Sequence, residues 1–182
     1  LTEEQYSILD FWEGADRILC SSPAGCGKTL LAAEMARRAR LAGEDSLFLV
    51  GSEGLAMALK QQPGLEGIVH SIGEVEAMPS THRPKAKTLL IDEGQQFLTR
   101  ERLSVLDSLV DGGIKSGRWA WFGDANYQSS LPVDGVQEGL ALLSSAASVR
   151  PELKRNYRNT PEIIKSVELA SGVPQGHALV KG

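Results

Sequence analysis

The feature that most constrains this chain is the segment Ser21-Ser-Pro-Ala-Gly-Cys-Gly-Lys-Thr. It follows a short apolar run, Arg17-Ile-Leu-Cys-Ser, that reads as a buried strand. It opens a stretch from Lys28 to Leu41 in which Leu30, Leu31, Met35 and Ala39 recur at helical spacing until Gly43. A glycine-rich turn between strand and helix can curl so that successive N–H groups point inward at an anion. The helix behind it adds the positive end of its dipole. In that setting Lys28 would reach the β- and γ-phosphates of a nucleotide, and the Thr29 hydroxyl would ligate Mg2+. Ser22, Pro23, Ala24, Gly25, Cys26, Gly27, Lys28, Thr29 and Leu30 are therefore candidate contacts, with Ser22 standing where the pattern has its first glycine.

Beyond the loop, apolar runs and amphipathic stretches alternate. Strands are expected at 17–21, 46–50, 67–70, 88–92, 118–122 and 149–153. Helices are expected at 2–12, 28–41, 53–61, 101–110, 136–147 and, behind Thr160 and Pro161, to about 170. Residues 78–87 read as an exposed loop. With no internal repeat and no dividing linker, the pattern predicts one α/β domain over 1–182, a parallel sheet with helices on both faces.

The run Leu89-Leu-Ile-Asp-Glu-Gly-Gln-Gln delivers Asp92 and Glu93 at the carboxyl end of a strand, where open α/β sheets place ligands. Asp92 would hold Mg2+, usually through water, and Glu93 would orient or deprotonate the attacking water. Taken alone, two acids at a strand end are as easily a solvated turn. With the phosphate loop upstream they point to a nucleoside triphosphate and Mg2+.

Composition excludes several classes. A chain of 182 residues that is 42% hydrophobic buries a proper core and is not disordered. A net charge of −4 argues against a protein that coats nucleic acid, so any such contact needs a local patch. Cys20 and Cys26 cannot build a disulfide framework and have no metal-ligand spacing around them, which fits a reducing, cytoplasmic compartment. No apolar run is long enough to span a membrane. The start at Leu1 is read as a cut from something longer.

Four further segments resemble motifs of the UvrD/Rep-type superfamily 1 helicases. Leu1-Thr-Glu-Glu-Gln is similar to their adenine-reading element, and Asp92-Glu-Gly-Gln to motif II. Phe122-Gly-Asp-Ala-Asn-Tyr-Gln is similar to motif III, and Leu153-Lys-Arg-Asn-Tyr-Arg-Asn-Thr to motif IV. The resemblance implies a P-loop NTPase with a RecA-like sheet, ATP and Mg2+ as cofactors, and ATPase activity. By position, Gln5 would contact the adenine edge and Tyr157 would stack on the base. Arg158 would touch the γ-phosphate as an arginine finger does, and Gln128 would sense it. Ser52, His70 and Ser71 would lie on the nucleic-acid side. The implied partners are single-stranded nucleic acid, DNA before RNA, and a second RecA-like lobe or an effector domain, with 153–182 beginning the link to it.

There are departures from the family pattern. Ala125, Asn126 and Tyr127 put three residues before Gln128 where the family has two, so Asn126 competes for the sensing role. Motifs V and VI are missing, and the stretch from Ser71 to Asp92 is too short for the domain that UvrD-type helicases insert there. A nucleotide-gated switch that drives a partner without moving nucleic acid is the alternative function.

Other features have bland readings. Arg37, Arg38 and Arg40 form a solvated helix face or a nucleic-acid patch, the former favoured. His82, Arg83, Lys85 and Lys87 either contact a phosphate backbone or keep a loop soluble. Trp119 and Trp121 share one face of a strand and read as core. Cys26 reads as a small residue that fits the loop, and His177 has no nameable partner.

Overall fold

A computed structural model of the 182-residue chain describes residues 1–124, 133–158, 164–166, 168–169 and 176–178. In chain order its elements are α1 (Glu3–Gly14), β1 (Arg17–Ser21), α2 (Lys28–Leu41), β2 (Ser46–Val50), α3 (Glu53–Lys60), β3 (Val69–Ser71) and α4 (Ile72–Ala77). Then come β4 (Thr88–Ile91), α5 (Arg100–Leu109), α6 (Gly113–Ser116), β5 (Arg118–Gly123), α7 (Val133–Ala146), β6 (Arg155–Asn156) and β7 (His177–Ala178). Short 3-10 turns cover Ser80–His82 and Gly94–Phe97.

Five strands form an all-parallel sheet in the order β1-β5-β4-β2-β3. β2 and β4 are buried throughout, as strands covered on both faces must be. Alternate residues serve two cores. Ile18, Phe48, Val50, Leu90 and Phe122 pack with Ile8, Leu9 and Trp12 of α1 and Leu31 and Met35 of α2. Leu19, Leu49, Leu89, Ile91, Trp119 and Trp121 pack with Val75 of α4, Leu106 and Leu109 of α5, Ile114 of α6 and Leu143 of α7. Both tryptophans are thus core, as their shared face predicts.

The strand order positions the site. β1 hands the chain to α2 on one face, whereas its neighbour β5 leads toward α7 on the other. Adjacent parallel strands whose connections depart to opposite faces leave a crevice at their carboxyl ends. The phosphate loop leaves β1 at that crevice. β4, which delivers Asp92, is the next strand beyond β5.

Several sequence expectations are adjusted. The final strand expected at 149–153 is reduced to two parallel bridges on the outer edge of β1, Ile18 with Val149 and Ser21 with Glu152. Pro151 between them has no N–H to donate, which prevents a continuous ladder. β3 begins at Val69 and not at Gly67, whose φ of 77° belongs to a turn. α4 was not anticipated, yet Ser71 and Glu74 form a reciprocal capping box that starts it at once after β3. Of the helix expected from Pro161, residues 164–166 and 168–169 are helical and the rest lies outside the described residues.

Candidate nucleotide site

The phosphate loop is held by its carbonyls. Lys28, only 7% exposed, folds back so that Nζ donates to the carbonyls of Ser22 and Pro23, each at 2.8 Å. The next three carbonyls are gripped from outside the loop. Asn156 Nδ2 donates to Ala24 O at 2.9 Å, Tyr157 N to Gly25 O at 3.0 Å, and Gln5 Nε2 to Cys26 O at 3.3 Å. Gly27 O accepts from Leu31 N at 3.1 Å, the first intrahelical bond of α2. A trans peptide points its C=O and the following N–H in opposite directions. Fixing the carbonyls outward therefore turns the amides of the loop inward. Ala24 and Gly25 lie in a turn, and among the described residues no N–H of residues 24–27 reaches an acceptor at full hydrogen-bond geometry. This is an anion nest continuous with the amino end of α2.

Two glycines make the grip possible. Gly25 has φ 86° and packs so closely that a Cβ there would sit 2.6 Å from Asn156 Oδ1. Gly27 has φ 80°, and a Cβ on it would collide with the Gln5 amide nitrogen.

The carboxylates lie across the crevice. Asp92 is fully buried, and neither of its oxygens meets a donor at ordinary hydrogen-bond geometry. Burial pushes its pKa up from 3.8; the Thr29 hydroxyl opposes the shift and the Glu93 charge adds to it. Glu93 is the one non-glycine with positive φ among the described residues, at φ 53° and ψ 39°. Such a conformation is costly and is held by its surroundings. Here the holder is Gln95, whose Nε2 donates to Glu93 Oε2 at 2.6 Å while its Oε1 accepts from Asp124 N at 3.1 Å. Gln95 thereby ties the carboxylate turn to the end of β5.

The loop and Glu93 share a cleft of about 310 Å³ lined by Ala24, Gly25, Gly27, Lys28, Thr29, Leu30, Glu93, Gln95, Asp124 and Arg158. Cys26 is fully buried and its thiol pKa is raised by burial, so it is a packed thiol and not a thiolate. Cys20 is likewise buried, its pKa pushed up to about 12.

The remaining sequence candidates fall in different places. Gln5 is 2% exposed, and both ends of its side chain face the protein. Its Oε1 accepts from Thr2 N at 3.0 Å in a capping box, and its amide holds Cys26 O. Tyr157 is half-buried beside the loop, its hydroxyl buried without a hydrogen-bond partner. Arg158 lies at the cleft edge, its N–H donating to Asn156 Oδ1 at 3.0 Å. Gln128, Asn126 and the rest of the motif III segment after Asp124 lie outside the described residues.

Ser52 and Ser71 cap α3 and α4, and His70 sits 3.9 Å from Glu74. Asn156 and Gln95 were missed as site residues. Both fell inside quoted motifs, but nothing in the sequence says which motif side chain turns toward the loop and which toward the carboxylate.

The fold has known counterparts. No protein-family model and no curated protein sequence matches the chain. Among solved structures, Bacteroides Pif1 bound to single-stranded DNA aligns at TM-score 0.57 and 16% identity, covering 92% of this chain and 45% of that one. The Pyrococcus furiosus Hef helicase domain aligns at 0.58 and 15% identity, covering 91% and 44%. Candida albicans Pif1 aligns at 0.55 and 15% identity, covering 84% and 39%. The chain shares the α/β, RecA-like P-loop fold of these three structures. It spans less than half the length of each of these three chains. Among the described residues, no helix is long and apolar enough to cross a membrane.

Proposed function

We propose that this chain is the ATP-hydrolysing motor lobe of a superfamily 1-like helicase or translocase of the UvrD/Rep kind. It would act on single-stranded nucleic acid, DNA before RNA, together with a second RecA-like lobe or another domain of a longer protein. The observation that carries the reading is the Asp92 carboxylate, buried without a normal hydrogen bond beside Thr29 and across the crevice from an open nest of N–H groups. A buried unpartnered carboxylate is costly unless a cation joins it. A nest of unpaired amides is equally incomplete without an anion. A Mg·triphosphate answers both at once.

The residues divide the work as follows. Lys28 would exchange the Ser22 and Pro23 carbonyls for β- and γ-phosphate oxygens. Thr29 and Asp92 would hold Mg2+, which when bound neutralises phosphate charge. Glu93, fixed by Gln95, would orient the attacking water and accept its proton. Arg158 would offset charge developing on the γ-phosphate, Gln128 would sense that phosphate, and Tyr157 would stack on the base.

A second reading, the nucleotide-gated switch, is favoured by one specific observation. The residues expected on the nucleic-acid side are engaged within the protein: Ser52 and Ser71 in helix caps and His70 beside Glu74.

The test is ATP hydrolysis at low salt with and without a single-stranded DNA or RNA oligonucleotide. Strong stimulation is the expected result for the motor. A basal rate indifferent to both nucleic acids favours the switch. A protein that neither binds nor hydrolyses Mg·ATP overturns both.

A further inference from the structure

We infer that Gln5 is a brace for the phosphate loop and takes no part in choosing the base. The inference rests on the proposed nucleotide site and assigns this side chain a different task within it. The side chain is 2% exposed, its oxygen accepts from Thr2 N at 3.0 Å, and its nitrogen donates to Cys26 O at 3.3 Å. To reach a base edge it would have to release the helix cap, the loop carbonyl, or both. Its contact with Gly27 fills the space that a Cβ on that residue would need.

Gln5 does not act alone. Asn156, fully buried, holds the carbonyl of Ala24, and the backbone of Tyr157 holds that of Gly25. Three consecutive loop carbonyls are thus secured by two segments at opposite ends of the chain. Glu4 further links those segments, since its carboxylate accepts from the N–H groups of Lys154 and Arg155, both at 3.4 Å.

The consequence follows from peptide geometry. Holding the carbonyls of 24, 25 and 26 outward aims the amides of 25, 26 and 27 inward before any anion arrives. An anion then binds without the cost of ordering the loop, which is the general source of affinity from preorganisation. That gain depends on the triphosphate alone and is the same whichever base is attached. Asn156 also accepts from the Arg158 N–H, so the brace sets the backbone that carries the cleft-edge arginine relative to the loop.

The experiment compares wild-type protein with Gln5→Met, Asn156→Ala and Thr2→Val, titrating each with Mg·ATP, Mg·GTP and inorganic tripolyphosphate. Thermal midpoints are recorded alongside. Gln5→Met keeps the volume and removes both the donor to Cys26 O and the acceptor for Thr2 N, so the dissociation constants of all three ligands should rise by one common factor. For one lost hydrogen bond to the loop that factor is about three- to tenfold. Asn156→Ala should show the same common factor. Thr2→Val removes the hydroxyl of the helix cap and leaves the Gln5 amide on Cys26, so it should lower the midpoint without moving any dissociation constant. Weakening of ATP alone in Gln5→Met would make Gln5 a base reader and overturn the brace. Unchanged binding of all three ligands in that variant would overturn it as well. Failure of the wild-type protein to bind any of the three removes the nucleotide reading itself, and the brace with it.

Discussion

At the amino ends of the strands and the far end of α2, cations find partners within the protein. Arg37 and Arg38 sit on Glu34 at 2.8 and 3.0 Å, and Arg40 donates to the carbonyl of Glu66. Lys85 meets Asp111 at 3.3 Å, and Arg118 lies 3.5 Å from Asp16 with its guanidinium stacked 3.9 Å over the Trp12 ring. At the carboxyl ends the groups are of the same kind and the pairing is not. Among the described residues, Lys28 has two carbonyls in place of an acid, and neither Asp92 nor the loop amides meet a partner at full hydrogen-bond geometry. The difference separates charges paired within the protein from charges that the proposed function assigns to a ligand. The arginines of α2 are a self-satisfied helix face, and the segment around Lys85 lies before β4, at the end of the sheet away from the cleft.

The comparison breaks most sharply at Lys28. Lys28→Ala should reduce Mg·ATP affinity by about a hundredfold or more and abolish turnover, because the phosphates lose their main counterion. Calorimetric titration checks this, and unchanged affinity would make the carboxyl end no different from the amino end. Glu93→Gln should leave affinity intact while single-turnover hydrolysis slows by about 10²–10⁴-fold, the usual cost of losing a positioned base.

Asp92→Asn tests whether the unmatched carboxylate is a liability in the free protein. Its folded-state pKa lies above 3.8, so any benefit of burying it is complete below that value and is lost as pH rises through the folded value. Where it is ionised, the buried group destabilises the ligand-free fold. The variant should therefore lose Mg-dependent turnover yet raise the ligand-free melting midpoint by about 2–4 °C. A midpoint that falls would mean the carboxylate has a structural partner after all. Gln95→Leu, which frees Glu93 from its hold on the β5 end, should lower kcat about tenfold with KM for ATP unchanged. The smallest effect belongs to the matched end. Lys85→Ala should shift the midpoint by less than about 2 °C, as an exposed ion pair does, and leave nucleotide affinity alone.

Much of the fold was legible in the residues. The bounds of β1, α2 and β2 were readable directly, because continuous apolar runs flanked by Gly, Pro and capping residues leave little choice of element. What escaped was short or interrupted. α4 and α6 are too short for periodicity to register, and Pro151 breaks an edge strand that its apolar neighbours advertise.

By itself, the sequence determined the chemistry of the site: a glycine-rich loop ending in Lys28 and Thr29, and a strand ending in Asp92 and Glu93. Local order suffices for that, since a loop between strand and helix and an acid at a strand end are properties of neighbouring residues. Only the tertiary structure decided that β5 lies between those strands and that the crevice opens beside β1. It alone brings Gln5 and Asn156 together around one loop although they stand near opposite ends of the chain. It alone leaves Asp92 buried without an ordinary partner. Burial, strand order and the hydrogen bonds of a side chain depend on residues distant in sequence, and no spacing rule records them.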